Sequence, residues 1–435
     1  MTDVARPLPH PYTPGSVRAA FSYRDYRLVW LGMFASNIGT WMQNVALPAY
    51  IQHRTRSGGL VGLTVFGQLG PVLLLSVPGG VLASKFPRRA WLVTMQSVQL
   101  VGSLVLALLA YRHASVAALI WCNVAIGTGN ALGAPAFQAT VPMLVDRRDL
   151  PGAISLNSTQ LNGSRVVGPL IAGLLGIWGV TITQIFVINA ATYLFMIAGL
   201  LVVTIPTVQS KGAAGWQQLT VGYRIARERF VVGRTLASMA LFSFFSLPFV
   251  VLFSTVADVG LGVDPQSSTY KWIYATWGLG ACLGALSAGT VLARVDKARL
   301  IRPSFVGFAV SLVAFGLLHG PALAYPVGFV LGWWYFLLAT ALITVLQQNL
   351  SDEERPYVMA LWFMAFGGTV PIGGLVFGPL MDVIGPHWIL MIGAVFAAFL
   401  GFWCDLRTGG EQRGRHSLEA GDPAALDQHG AAAGD

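Results

Sequence analysis

Residues 153–177 read AISLNSTQLNGSRVVGPLIAGLLGI, a run of membrane-spanning length whose only charged residue is Arg165. At about 1.5 Å per residue, Arg165 lies roughly 18 Å from the helix start, near the middle of a ~30 Å hydrocarbon layer. Insertion scales put a charge there at a cost of about 2.5 to 3.5 kcal/mol, so an intramembrane Arg faces a protein interior or a wet cavity and needs a partner. A helix carrying such a residue belongs in a bundle.

Composition places the remaining chain in the same medium. Hydrophobic residues make up 55% of the 435 and charged residues 10%, against about 25% charged in a water-soluble domain. Twelve apolar runs are long enough to span, at 28–51, 60–83, 90–111, 116–138, 153–177, 182–205, 235–257, 270–293, 301–319, 323–348, 357–381 and 386–405. None alternates with period two, so the spans are helices rather than barrel strands. The amino terminus, MTDVARPLPHPYTPG, lacks the apolar core and cleavage site of a secretory signal, and the first helix is expected to stay in the membrane. Cys122, Cys282 and Cys404 fall inside apolar runs without metal-type or paired spacing and read as buried free thiols. No catalytic, metal or cofactor site is expected.

If the N-terminus is cytoplasmic, the seven cytoplasmic segments carry 22 of the 27 Lys and Arg residues, the outward loops four, and Arg165 is the remaining one. That bias puts both termini in the cytoplasm; the inner membrane is where we expect the multi-pass chain. The net charge of +9 is then a topology signal, with some attraction to anionic lipid, and gives a nucleic-acid reading little support. The longest internal break separates six spans from six. We expect a cytoplasmic segment at 1–27, a six-helix bundle at 28–205, a linker at 206–234, a second bundle at 235–405 and a disordered tail at 406–435. Within the linker, QLTVGYRIARERF (218–230) reads as a short basic amphipathic helix on the cytoplasmic surface.

The halves echo each other. GVLASKFPRR (80–89) follows span two and GTVLARVDKAR (289–299) follows span eight, each a glycine near a helix end followed by basic residues. On these residues the chain resembles the major facilitator superfamily, whose loop between helices two and three runs Gly, three residues, Asp, Arg, any, Gly, Arg, Arg. It is similar to the enterobactin-exporter-like branch of bacterial exporters in FSYRDYRLVWLGMFASNIGTWMQNVALP (21–48), in GNALGAPAFQATVPMLVDRRDLPGAISLNSTQLNGSRVVGPLIAG (129–173) and in RERF (227–230). The resemblance runs to about residue 405. It implies an all-α membrane protein with twelve transmembrane helices in two pseudo-symmetric six-helix bundles rocking around a central site. It also implies a gating loop, here Gly80, Ser84, Lys85, Arg88 and Arg89. Two departures matter: Ser84 stands where the family has Asp and Pro87 where it has Gly. Ser can cap a helix but brings no charge, which implies a weaker gate. Asn123 occupies the place of an Arg that many relatives carry in helix four.

No Walker-type phosphate loop occurs, which argues against direct ATP hydrolysis. Proton coupling uses a carboxylate or His whose proton affinity burial can move. All 18 acids fall in loops, tails or helix ends. Asp25 before span one, Asp258 after span seven and Asp382 at the end of span eleven lie nearest the membrane and are the coupling candidates. The alternative makes each of them a solvated helix-end residue.

With no acid inside the spans, Arg165 is stabilised by carbonyls and amides, as a lock on a neighbouring helix, or by an anionic cargo such as a catecholate or carboxylate siderophore. Both readings stay open. Asn37, Trp41 and Asn44 share a face of span one, Asn123, Asn130 and Gln138 lie along span four, and Asn162 sits beside Arg165. They line a wet pathway or hydrogen-bond between helices, the latter worth about 0.6 kcal/mol each in a bilayer. Trp334, too deep for an interfacial belt, is a candidate stacking surface for cargo. Gly168-Pro169-x-x-Ala172-Gly173 resembles the helix-five signature of superfamily antiporters, although Gly163 is one residue out of register.

The reading is a secondary transporter, monomeric, that exports an organic small molecule, a siderophore-like anion or a drug-like compound, by alternating access and proton antiport. An importer of the same fold and a non-transporting sensor are the alternatives. An embedded enzyme would show clustered His, Asp or Glu, and the seven His are scattered through loops and tails.

Overall fold

The computed structural model describes residues 12–83, 85–205, 216–351, 353–404 and 406. Among these no strand occurs, and each of the twelve apolar runs is matched by a helix. The first bundle consists of Arg24–Thr55, Gly58–Ala83, Arg88–Tyr111, Val116–Thr140, Leu150–Ile177 and Ile182–Val202, spans one to six. In the second bundle span seven starts at Phe230–Phe245, spans eight, nine and ten are Ser268–Gly289, Lys297–Gly316 and Ala324–Gln348, and span twelve is Pro386–Trp403. Span eleven is Arg355–Phe363 and Thr369–Ile384, joined by a π-helical turn at Met364–Gly368.

Span seven corrects the expectation of one continuous helix over 235–257. It stops at Phe245, resumes in the short pieces Pro248–Val251 and Phe253–Thr255, and ends in a π turn at Val256–Gly260. Pro248 explains the break, because its ring nitrogen has no hydrogen to continue the helical ladder. Eight helices among the described residues are long and apolar enough to cross a membrane on composition alone. The spans that fall short are one, five, seven and eight. Span seven is broken; the other three carry polar side chains toward the space between the bundles.

Each bundle solves its core differently. In the first, Gln43 of span one is fully buried. Its Oε1 accepts from Ser103 Oγ at 3.0 Å and Asn189 Nδ2 at 2.8 Å, and its Nε2 donates to Asn123 Oδ1 at 3.5 Å. Spans one, three, four and six are thereby joined at one amide. In the second bundle the buried rings of Phe242, Phe305, Phe308 and Tyr335 lie within 6.4 Å of the Phe242 centroid.

Glycines bring the bundles together. A Cβ on Gly62 of span two would collide with the Gly374 carbonyl of span eleven, and one on Gly58 would stand 2.9 Å from the Gly378 carbonyl. Small residues permit such close crossings. All four lie in the half of the molecule away from residues 12 and 406, called here the distal end. Before span one a short helix, Val17–Ser22, is capped by the Ser16 side chain. The expected linker helix is present as Trp216–Glu228; a Cβ on its Gly222 would meet the Tyr357 carbonyl at 2.6 Å, and Arg229 behind it pairs with Glu354 at 2.7 Å. Ser84, linker residues 206–215 and tail residues 407–435 lie outside the described residues. None of the cysteines forms a disulfide; Cys404 is buried, while Cys122 and Cys282 are only half-buried, contrary to expectation.

Candidate functional site

Arg165 owes its position to the glycine three residues after it. A Cβ on Gly168 would stand 2.6 Å from Trp41 Cβ and 2.8 Å from the Ile38 carbonyl, so spans one and five cross there almost backbone to backbone. One turn earlier, Arg165 meets the face of Trp41, its Cζ 5.4 Å from the ring centroid, and the face of Phe366 at 5.2 Å. Trp41 belongs to the first bundle; Phe366 belongs to the π turn of span eleven in the second. Among the described residues the Arg165 guanidinium has no ion pair and no hydrogen bond. Two ring faces contribute about 0.5 to 2 kcal/mol each, and they leave all five N–H donors of the guanidinium unused.

Those donors border a cavity of about 180 Å³ between the bundles. Trp41, Asn44, Gln68, Asn123 and Arg165 line it from the first bundle, and Ser254, Tyr274, Trp277, Tyr335 and Phe366 from the second. No Asp or Glu is among its described lining residues. Gln68 is buried with both amide atoms unpartnered, as are Ser254 Oγ and Trp277 Nε1. Each buried polar atom left unpaired costs about 1 to 3 kcal/mol. A largely apolar cavity with a few convergent donors is the usual form of a small-molecule site.

Of the residues proposed from sequence, Trp41, Asn44, Asn123 and Arg165 come together at this cavity. Asn123 is also a structural tie, since its Nδ2 donates to the Thr64 carbonyl at 2.9 Å. Asn37 and Asn130 are half-buried and lie outside the cavity lining; Asn37 Nδ2 has no partner. The Asn162 side chain lies outside the described residues. Trp334 is a correction. Its ring fills the space over Gly307 of span nine, where a Cβ would collide with it, while the next residues, Tyr335 and Phe336, face the cavity.

Around the loop between spans two and three, Gly80 lies within span two and Lys85 is exposed. Arg88 donates to the Ala139 carbonyl at 3.2 Å, and Arg89 donates to the Val203 carbonyl. Both contacts stay within the first bundle.

The coupling candidates are all outside the cavity. Asp25 accepts from the Thr204 N–H at 3.3 Å. Asp258 overturns the solvated alternative, because its side chain is only 2% exposed. It takes Arg56 Nη1 at 2.5 Å and Gln52 Nε2 at 2.8 Å, across the bundle interface. Asp382 caps span two from span eleven, accepting from the N–H groups of Gly58 at 2.6 Å and Gly59 at 3.0 Å and from Ser57 Oγ at 2.9 Å. His53 and Asp264 add a contact at 2.9 Å. Burial alone would raise Asp264; the Gln266 N–H and His53 outweigh it and hold the carboxyl below the usual range. Asp258, Asp382 and Asp264 all join the two bundles at the distal end.

Sequence reasoning missed Gln68, Trp277, Tyr274 and Gln43. Gln68 had a signal, as the one amide in the apolar run of span two; the others sit among residues that read equally well as packing.

The chain matches the model of a family described as transmembrane secretion effector over residues 15–426. The enterobactin exporter EntS of Shigella boydii serotype 4 (strain Sb227) is 26% identical over 364 residues, covering 83% of this chain and 86% of the exporter. Among solved structures, an inward-facing, unoccupied bacterial homologue of the human lysosomal transporter Spinster is similar with a TM-score of 0.68 at 14% identity, over 88% of this chain and 97% of that one. A structure of the nucleoside transporter NupG gives 0.67 at 13%, over 88% and 99%.

Proposed function

The chain belongs to the transmembrane secretion effector family of the major facilitator superfamily, and from that premise we propose that it exports an organic anion from the cytoplasm across the inner membrane. That it is a multi-pass secondary transporter, and not an enzyme, follows from the family and fold. Direction, cargo and coupling are our reading.

The observation that carries the cargo reading is the surroundings of Arg165. A guanidinium between two aromatic faces, with its donors free and no carboxylate in the cavity wall, is complementary to an aromatic acid: rings stack on Trp41 and Phe366, and the acid group takes the fork. A catecholate siderophore has both parts. The related exporter is named for enterobactin, which points the same way.

Hydrogen bonds and ion pairs found between the bundles among the described residues all lie at the distal end. With both termini inside, as the Lys and Arg distribution indicates, the distal end is the outer face. The conformation is then closed outward and receives cargo from the cytoplasm. The antiporter-like Gly168-Pro169 signature supports exchange against protons. Asp258 is our choice among the three acids, because its pairing with Arg56 and Gln52 has to break each time the outer face opens.

Transport in proteoliposomes tests the proposal. Arg165→Gln protein that folds normally is expected to move 2,3-dihydroxybenzoate at least tenfold more slowly than wild type, about the effect of losing one charge-assisted hydrogen-bonding group. Wild-type rates would refute it.

A further inference from the structure

A second cavity, of about 110 Å³, lies at the distal end between spans one, five, six and eight. It shares three wall residues with the central cavity, Val45, Tyr270 and Tyr274. Among the described lining residues the one basic side chain is Lys271. This lysine lies across span five at two glycines: a Cβ on Gly173 would be 3.4 Å from the Lys271 carbonyl oxygen, and one on Gly176 would collide with the ammonium itself. A side chain at Gly176 would push the ammonium out of the interface. The Lys271 ammonium makes no hydrogen bond or ion pair among the described residues. Asp264, the carboxylate within electrostatic reach, is already engaged by His53 and the Gln266 N–H, each at 2.9 Å.

Two cavities therefore meet at a wall of Val45 and two tyrosines, and among the described lining residues each holds one basic side chain without a contacting carboxylate. Arg165 and Gly176, which marks the Lys271 ammonium, are eleven residues apart on span five, about 16 Å along its axis. An anion leaving Arg165 for the distal end would otherwise cross that distance with no positive group to meet it, in surroundings where an uncompensated charge is costly.

We infer that the distal cavity is an exit subsite for the anionic cargo, in which Lys271 takes over the acid group that Arg165 holds in the central cavity, across the wall of Tyr270 and Tyr274. The inference rests on the anionic-cargo reading above. Opening of the distal end parts span eight from span five and moves the tyrosine wall, so one rocking motion joins the two cavities and exposes the second. The competing role for Lys271 is purely structural, a cation at the C-terminal end of span five opposing its helix dipole. A structural cation affects neutral and charged cargo alike.

That difference defines the experiment, on the full chain in proteoliposomes with 2,3-dihydroxybenzoate and its uncharged amide as probes. Lys271→Gln is expected to keep equilibrium affinity for the benzoate within about twofold of wild type, while its benzoate-to-amide transport ratio falls about tenfold and Lys271→Arg restores it. An unchanged ratio, whether both rates hold or both drop, overturns the inference. Arg165→Gln, run beside it, keeps the two readings apart. Loss of benzoate affinity in Arg165→Gln with a normal ratio in Lys271→Gln removes only the exit subsite. Full affinity in Arg165→Gln removes the anionic-cargo reading and the subsite with it.

Discussion

The first bundle is held by directional bonds and the second by rings. Around Gln43, amides and hydroxyls from four helices close on one another, and Thr40 extends the network through Tyr193 at 2.9 Å. Around Phe242, contacts are edge-to-face and tilted rings, with Trp277 stacked near Tyr335 at 6.1 Å. Hydrogen bonds away from water fix geometry, because an unmade bond has no solvent to replace it. Ring packing tolerates rearrangement. It is in the second bundle that span seven breaks and two π turns occur. The bundles match in fold and differ in stiffness: the first holds Arg165 in a fixed frame, and the second supplies an adaptable aromatic wall.

The largest expected effect comes from removing the hub. Gln43→Leu leaves the polar groups of Ser103, Asn123 and Asn189 short of a partner and is expected to destabilise the purified protein by about 2 to 4 kcal/mol, read from unfolding in mixed detergent. A loss of a few tenths would mean the network is incidental. Phe242→Leu, the matching change in the second bundle, is expected to cost about 1 to 1.5 kcal/mol in the same assay, because neighbouring rings close over the lost volume. Equal losses would erase the contrast in stiffness.

Where the bundles meet, Asp258→Asn keeps the shape and removes the charge facing Arg56. Distances measured by spin labels across the distal end should show the open form enriched by about threefold, a modest shift because Arg56 is 67% exposed on its side chain and solvent screens the pair. An unchanged distribution would remove Asp258 from the latch. The smallest effect concerns Tyr23, at the start of span one, which donates to Asp149 at 2.8 Å. Burial, and then that hydrogen bond, push its hydroxyl up to about 12. A raised value means the folded form retains its proton longer than the unfolded one. The Tyr23 contribution is therefore complete below about 10 and is lost as pH rises through about 12. Tyr23→Phe should show less loss of melting temperature across that window; an identical loss would put the alkaline sensitivity elsewhere.

Much of this architecture is legible in sequence, since a run of about twenty apolar residues fits little besides a helix that crosses a bilayer. The depth of Arg165 follows from counting along its helix, and the shared face of Trp41 and Asn44 from helical spacing. Trp334 failed for a geometric reason. Around Trp334 span ten is apolar or aromatic on every side, with Thr340 and Thr344 further along, so no polar side chain beside it marks which face looks inward, and one residue of register turns the helix by about 100°. The burial of Asp258 was illegible for another: its partner Arg56 is 202 positions away, and nothing local distinguishes a buried helix-end acid from a solvated one. The kink in span seven could be anticipated from Pro248, although its place beside the cavity could not.

Equilibrium binding to the purified protein measures the role of Arg165 with fewest intermediaries. Wild type should bind 2,3-dihydroxybenzoate more tightly than its uncharged amide and reject tetraphenylphosphonium, and Arg165→Gln should lose about tenfold in benzoate affinity while binding the amide as before. Equal benzoate affinity in the two proteins, or a wild-type preference for the phosphonium cation, would contradict an anion site at Arg165.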